Sequence, residues 1–417
     1  MSSRLAALRS SLDVMPSPVE EHPGLLLRDP FAYTSQVVII PPPLVPFLGL
    51  FDGRHDEQDL ASALYRATGE LSAKAFARRL AETLGSNGFL ENDELERRRN
   101  ERHRSFAAAT VREPAHAGQA YPDDRGQLSG LLGGWLHRQP GATAAGDDVF
   151  AIVAPHVSFE GGFRCYASAY RALPADAGER TFVVLGTSHY GAPERFGLTR
   201  KAFATPLGVT RTADRLLERL IRDAGDAVLV EDYCHAVEHS IEFQVLFLQW
   251  LFGPEVRVLP ILCGPFAKAT ATASRPEDDP GVARFLAALA ELDAREGERL
   301  VWVLGVDLAH IGRRYGDTFE ARAGAGPLLA VEEQDQRRIQ ALLAGDAAGF
   351  WEAIREDGDG LRWCGAAPLY AFAKATVPKR GALLRYEQWN IDPASVVSFA
   401  ALAFGRNAIT PAGEGGA

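Results

Sequence analysis

The sequence predicts an α/β protein with a mainly parallel central sheet that carries helices on both faces, preceded by a small α+β winged-helix-like domain. Short apolar runs alternate with helical segments from residue 149 to residue 404, which is typical of strands and helices in a parallel sheet. Three of the apolar runs end in small polar segments that carry a histidine. In open α/β folds, ligands bind beyond the carboxyl ends of the strands.

Composition and charge exclude several classes of function. The chain has 417 residues and a net charge of −10, which disfavours a nucleic-acid partner that needs broad phosphate neutralisation. No apolar run approaches the ~20 residues that span a membrane. The N-terminus lacks the apolar core of a signal peptide, so we expect a cytoplasmic protein. The oligomeric state stays open. Four scattered cysteines indicate reduced thiols: Cys165, Cys234, Cys263 and Cys364.

Residues 1–105 are predicted to form the winged-helix-like module. Residues 1–30 are polar and interrupted by prolines, so we expect them to be loosely held. A strand at 37–40 and a short helix at 44–50 come next, followed by two amphipathic helices, the second with Ser72 as its cap. Residues 89–91 are predicted to be a closing strand. The charge-rich segment 94–104 is predicted to be a solvated linker helix, which places the domain boundary at 105/106.

The module resembles the small peptide-recognition modules of peptide-modifying pathways. The resemblance rests on the helix pair and on the segments that flank it, Leu50-Phe51-Asp52-Gly53-Arg54 and Gly88-Phe89-Leu90-Glu91. It implies a peptide partner. DNA is disfavoured because the basic residues Lys74, Arg78 and Arg79 are few and are offset by acidic ones.

Residues 106–417 are predicted to form the main α/β domain. Its expected strands are 149–154, 182–185, 256–263, 300–306, 382–387 and 395–404. Its expected helices are 128–136, 163–170, 213–224, 238–251, 280–296, 334–343, 347–355 and 364–375. This alternation predicts the parallel sheet.

Histidines follow three of these strands. His156 ends the first strand, and His189 follows the second through Gly186-Thr187-Ser188. Asp307 and His310 follow the strand at 300–306. A fourth histidine lies in Glu238-His239-Ser240-Ile241-Glu242, which we place at the start of an apolar helix. Together these residues predict a site at one edge of the sheet.

The motifs, taken in order, resemble the MEMO-like family, whose bacterial members are also called AmmeMemoRadiSam system protein B. The resemblance spans residues 112–405. It rests on Ala117-Gly118-Gln119-Ala120-Tyr121-Pro122, Ala154-Pro155-His156 with Gly161-Gly162, Leu185-Gly186-Thr187-Ser188-His189, Thr205-Pro206-Leu207-Gly208, Glu238-His239-Ser240-Ile241-Glu242 and Asp307-Leu308-Ala309-His310-Ile311-Gly312.

This resemblance implies a metal pocket, because the MEMO-like family resembles the class III extradiol dioxygenases, which use non-haem Fe(II). His156 and His189 correspond to the paired histidine ligands, and His239 to an acid–base histidine. Some family members are expected to carry a cysteine ligand just before the histidine of the last motif. That position is Ala309 here, which cannot bind a metal, so either Asp307 or His310 takes its place, or the metal is weakly held or absent.

Residue chemistry leads to the same type of site. Imidazole suits Fe, Zn and Cu, and two histidines with one carboxylate are typical of non-haem Fe(II) sites. We therefore expect Fe(II), with Zn or Cu as alternatives, bound by His156, His189 and Asp307. We expect catalytic roles for His239, Glu238 and His310. Neighbouring carboxylates would raise the pKa of His239 and suit it to proton transfer. The cysteines are expected to be buried apolar residues.

Three functions remain open from the sequence. The first is a non-haem iron oxidoreductase that acts on a small molecule or on a peptide side chain. The second is a non-catalytic metal-binding or peptide-docking adaptor, which the alanine at position 309 favours. The third is a hydrolase that uses the same metal pocket.

Overall fold

The computed structural model of this chain describes residues 4–17, 19, 21–137, 148–376 and 381–406. The chain divides into two compact units, residues 1–108 and 109–417; the sequence placed the boundary at 105/106. Within the described ranges, no helix combines the length and the apolar character that crossing a bilayer requires.

The first unit combines a small antiparallel sheet with three helices. Its strands lie in the order β1-β2-β3, and a 3-10 helix at Pro42–Leu50 leads from the sheet to the helices. The elements are β1 (Asp13–Pro16), β2 (Leu25–Arg28), β3 (Val37–Ile40), α1 (Glu57–Thr68), α2 (Ala73–Ser86) and α3 (Asp93–Ala108). The helices predicted from the amphipathic pattern and from the charge-rich segment are therefore present.

Three expectations for this unit are wrong. The segment before residue 30 is not loosely held: it supplies β1 and β2, buries Leu12 and Leu27 in the core, and forms a buried ion pair between Arg9 and Asp29 at 2.8 Å. Residues 89–91 form no closing strand, because their pairing is limited to an isolated bridge between Leu90 and Leu8. The Ser72 hydroxyl makes no capping hydrogen bond; it donates to Glu70 instead.

The second unit is an α/β domain whose strands and helices alternate along most of its length. Its elements are β4 (Val111–Arg112), α4 (Arg125–His137), β5 (Val149–Ala154), α5 (Phe159–Tyr170), β6 (Thr181–Thr187), β7 (Phe196–Leu198), β8 (Ala202–Thr205), β9 (Gly208–Val209), β10 (Arg211–Thr212), α6 (Asp214–Ala224), β11 (Val228–Val230), α7 (Cys234–Val237), α8 (Glu242–Phe252), β12 (Arg257–Cys263), α9 (Ala267–Ala271), α10 (Pro280–Glu296), β13 (Leu300–Gly305), β14 (His310–Gly312), α11 (Pro327–Leu343), α12 (Ala347–Arg355), α13 (Ala366–Ala375), β15 (Gly381–Asp392) and β16 (Ser395–Gly405).

The main sheet is parallel at its centre and antiparallel at its sides. The strand order across the sheet is β11-β7-β12-β6-β13-β5-β16-β14. The four strands β12, β6, β13 and β5 run parallel. Strand β7 runs antiparallel to β12 and parallel to β11, and β16 runs antiparallel to β5. Strands β5, β6 and β13 are buried along their whole length, as expected for a sheet covered by helices on both faces. The predicted parallel sheet is confirmed at the centre.

The carboxyl ends of β6, β13 and β5 lie side by side. Gly305 at the end of β13 is level with Gly186 of β6 and with Ala154 of β5. A side chain at either glycine would collide with the segment before α8: a Cβ at Gly186 would lie 2.5 Å from Ser240 Oγ, and one at Gly305 would lie 2.3 Å from the Ser240 carbonyl oxygen. The two glycines therefore let this segment lie directly on the strand ends.

The helix predicted at 238–251 begins later than expected, at Glu242, and a separate short helix precedes it. Helix α7 ends at Val237 and α8 begins at Glu242, so His239 lies in the connection 238–241 and not within a helix. The Ser240 hydroxyl donates to the carbonyl oxygen of Thr187 at 2.8 Å. This bond fixes the connection to the end of β6.

Candidate metal centre

Three histidines from distant parts of the chain converge at the edge of the sheet. His156 follows β5, His189 follows β6, and His239 lies in the connection before α8. One ring nitrogen from each lies within 4.8 Å of the other two, and the ring centroids are 4.9 to 5.1 Å apart. His156 is buried, while the side chains of His189 and His239 remain 28% and 31% exposed. The cluster is therefore open to a ligand on one side.

Each of the three imidazoles is oriented through its Nδ1 atom. His156 Nδ1 lies 3.0 Å from the carbonyl oxygen of Gly305. His189 Nδ1 lies 3.1 Å from both carboxylate oxygens of Glu238, and His239 Nδ1 lies 3.0 Å from Glu238 Oε1. These acceptors place the proton on Nδ1 and leave Nε2 as the donor atom, which is how proteins orient histidines that bind a metal.

Glu238 is the buried carboxylate that joins two of these histidines. Besides the two rings, it accepts the backbone N–H groups of His189 at 2.9 Å and of His239 at 2.9 Å. Burial alone would raise the pKa of Glu238. The neighbouring His189 and His239 outweigh this effect and lower the pKa of Glu238 well below its usual range. Burial opposes charging of His189, yet Glu238 raises the pKa of His189 well above its ordinary value.

Asp307, the predicted third ligand, lies beside the cluster. Its Oδ1 accepts the backbone N–H groups of His156 at 2.9 Å and of Val157 at 3.2 Å, and its Oδ2 lies 3.5 Å from His156 Nε2. Burial raises the pKa of Asp307 to about 6. Asp307 was predicted as a ligand and His239 was not, whereas the group of three whose ligand atoms lie within 4.8 Å of one another consists of His156, His189 and His239.

His310 begins β14 and lies outside the group of three. Its Nδ1 lies 3.0 Å from the carbonyl oxygen of Leu308 and 3.2 Å from that of Arg362. Burial lowers the pKa of His310 to about 4. The ring is therefore neutral, with its proton on Nδ1 and a free lone pair on Nε2. Its predicted catalytic role stays a prediction.

Cys364, which the sequence analysis treated as an apolar residue, also reaches the cluster. Its Sγ lies 3.3 Å from His156 Nε2 and 3.4 Å from the carbonyl oxygen of Asp307, and burial raises the pKa of this thiol. Ala309 instead pairs through its backbone with Ser398. The thiol beside the cluster therefore comes from a segment 55 positions after Ala309. Its placement just before α13, at a helix N-terminus, was the available sequence signal.

A second buried network supports the connection that carries Glu238. The Arg112 guanidinium pairs with the Glu242 carboxylate, and both side chains are almost completely buried. Arg112 also donates to the carbonyl oxygens of His235 at 2.8 Å and of Glu238 at 2.9 Å. The Tyr121 hydroxyl donates to Glu242. Burial would raise the pKa of Glu242, but Arg112 outweighs it and lowers that pKa.

Comparison with known proteins identifies the family. The profile described as "Memo-like protein" matches residues 112–403, which begins at Arg112 and includes the whole histidine cluster. The chain belongs to the Memo-like family.

Relatives named "MEMO1 family protein" occur in bacteria and archaea. The Memo-family chain is 27% identical to the Aquifex aeolicus protein over 383 residues, which covers 91% of this chain and 95% of that protein. It is 30% identical to the Methanosarcina acetivorans protein over 299 residues, which covers 70% of this chain and 98% of that protein. It is also 30% identical to the Thermococcus kodakarensis protein over 308 residues, which covers 71% of this chain and 100% of that protein.

The Aquifex alignment is longer than the second unit of this Memo-family chain, so it extends into the first unit. Among solved structures, an uncharacterized protein from Escherichia coli K12 matches 61% of this chain and 99% of its own, with 13% identity and a TM-score of 0.39.

Replacing Arg112 by Met should strongly destabilise the second unit. The substitution leaves the Glu242 carboxylate buried without its countercharge, so we expect a loss of about 3–5 kcal/mol in the free energy of unfolding. Arg211→Met is the matched control, because Arg211 pairs with Glu255 on the surface and such pairs contribute about 0–1 kcal/mol. Chemical unfolding measures both variants. Equal, small losses would contradict a supporting role for Arg112.

Proposed function

We propose that the second unit of this Memo-family chain binds a divalent metal ion through His156, His189 and His239, and that it is a non-haem iron oxidoreductase acting on a small molecule or on a peptide side chain. The observation that carries the proposal is the shared orientation of the three rings. Each has its Nδ1 atom engaged by an acceptor, which leaves Nε2 to bind a metal, and one ring nitrogen of each lies within 4.8 Å of the other two.

The donors suit a metal of the first transition row. Neutral imidazole binds Fe, Zn, Cu and Ni, and Asp307 and Cys364 add a carboxylate oxygen and a sulfur beside His156. Fe(II) is the metal that we propose, because imidazole suits Fe and the extradiol dioxygenases that the family resembles use non-haem Fe(II). When bound, such an ion would supply electron transfer and Lewis acidity.

The remaining residues have separable roles in this proposal. Glu238 fixes the orientation of the His189 and His239 rings, and its negative charge would balance part of the charge of a bound ion. Asp307 fixes the backbone at His156 and Val157. We propose His310 as an acid–base residue, because its Nδ1 contacts backbone carbonyl oxygens and leaves Nε2 for proton exchange.

The metal content should separate the proposed histidines from other histidines of the chain. His156→Ala, His189→Ala and His239→Ala should each abolish stoichiometric metal binding in anaerobically purified protein, because each removes an imidazole donor. Asp307→Ala should retain the metal. His55→Ala is the matched control, since His55 is a half-exposed histidine of the first unit that pairs with Asp52. Elemental analysis by mass spectrometry measures each variant.

Three outcomes would count against this assignment. If Asp307→Ala empties the site while His239→Ala keeps it full, the original sequence-based ligand set of His156, His189 and Asp307 is correct. If the wild-type chain carries zinc and neither iron nor copper, a metal-dependent hydrolase replaces the oxidoreductase. A chain that binds no metal would favour the adaptor function.

For the first unit, we propose a peptide partner that pairs with the outer edge of β3. Strand β3 pairs with β2 on one side, it is the last strand of its sheet, and Val37 is 50% exposed. An extended peptide can add a strand to such an edge, with backbone hydrogen bonds supplying affinity and alternate side chains supplying specificity.

Changing the edge of β3 should weaken peptide binding. Peptides selected from a random library against the full chain should lose affinity for Val37→Lys, because a charged side chain on an edge strand opposes pairing. Leu71→Lys is the control, since Leu71 is 93% exposed and lies outside the sheet. Equal affinity for the two variants, or salt-sensitive binding of duplex DNA in place of peptides, would refute this partner.

A further inference from the structure

A cavity of about 680 Å³ opens beside the histidine cluster, and two residues of the candidate centre line it, His189 and Cys364. We propose that this cavity binds an uncharged, largely apolar ring or chain of a small molecule. That the ligand is a substrate rests on the function proposed above. The preference for an uncharged, apolar ligand rests only on the residues that line the cavity. The volume falls in the usual range of about 300–1,000 Å³ for small-molecule sites.

Three aromatic side chains form the apolar walls of the cavity, and their polar atoms are already occupied. The Trp351 indole N–H donates to the carbonyl oxygen of Ser274 at 2.8 Å, and that of Trp363 donates to Asp335 at 2.7 Å. Phe266 packs edge-on against Trp351, with ring centroids 5.9 Å apart. These rings are held in place and present carbon surfaces to a ligand.

The charged groups on the cavity wall have partners within the protein. Arg362 donates to the His310 carbonyl oxygen at 2.8 Å and pairs with Asp317. Asp359 accepts the backbone N–H of Trp363 at 3.0 Å and lies 3.7 Å from the guanidinium of Arg338.

His189 is likewise paired, with Glu238. A charged ligand would therefore lose its hydration in this cavity without gaining an unpaired countercharge, which is unfavourable. An uncharged ligand loses little hydration and gains contact with the aromatic walls.

The mouth of the cavity offers a position for a blocking substitution. Helix α9 contributes Ala267 and Ala271 to the lining, and both are exposed. Phe at position 271 would fill space at the opening with little effect on the core. Lys268 lies on the same helix, is exposed and does not line the cavity, so Lys268→Phe is the matched control.

Three probes that share a ring and differ in charge test the selectivity of the cavity: benzyl alcohol is uncharged, benzoate is anionic and benzylamine is cationic. Each is titrated into the full-length chain after a chelator has removed any metal. Isothermal titration calorimetry should give millimolar binding of benzyl alcohol, on the order of 10-fold tighter than either charged probe. Ala271→Phe should weaken benzyl alcohol binding by a similar factor, and Lys268→Phe should leave it unchanged.

N-acetyl-phenylalaninamide, an uncharged probe, distinguishes the two sources of such a ring. Tighter binding than benzyl alcohol identifies a peptide side chain as the occupant, and weaker binding identifies a free small molecule. The proposal is overturned if a charged probe binds as tightly as benzyl alcohol, if benzyl alcohol does not saturate the chain, or if both Phe variants weaken binding equally. Because the chain is metal-free, these outcomes are independent of whether the proposed metal function is correct.

Discussion

The hydrogen bonds of the buried Glu238 carboxylate are the interaction on which the candidate centre depends. This single side chain accepts from the Nδ1 atoms of His189 and His239 and from the backbone N–H groups of the same two residues. A buried carboxylate is costly unless such partners compensate it. The same bonds that make burial of Glu238 tolerable also fix the direction of both imidazoles, so the stability of this connection and the geometry of the cluster have one cause.

The rest of the second unit serves to bring that connection onto the strand ends. Gly186 and Gly305 leave room for Ser240 above β6 and β13. Arg112 and Glu242 hold the connection from the opposite side through buried charge and through the carbonyl oxygen of Glu238. The Memo-family match begins at Arg112, and Tyr121 from the Ala-Gly-x-x-Tyr-Pro segment contacts the same carboxylate. A motif that carries no obvious chemistry in the sequence thus supports the centre.

Local patterns predicted most of the helices and the parallel centre of the sheet, because apolar runs and amphipathic periodicity determine both. They also placed His156 and His189 together, since parallel strands present their carboxyl ends at one edge. The position of His239 was harder to predict from the sequence, because the break between α7 and α8 depends on contacts with Gly186 and Gly305. Cys364 was missed because a thiol more than 170 residues from His189 meets it only through tertiary packing. The four-residue strands β1 and β2 carry too short a pattern to distinguish them from loops.

X-ray absorption spectroscopy at the iron edge tests the central claim most directly, because it reports how many imidazoles surround the bound ion. For the iron-loaded wild-type chain we expect the scattering of three imidazole rings, and for His239→Ala, which is loaded with excess iron to overcome its weaker binding, the scattering of two. Three imidazoles in the wild type would show that Glu238 orients His239 for the metal. Two imidazoles in both proteins would contradict the account and would leave His239 with a role in proton transfer alone.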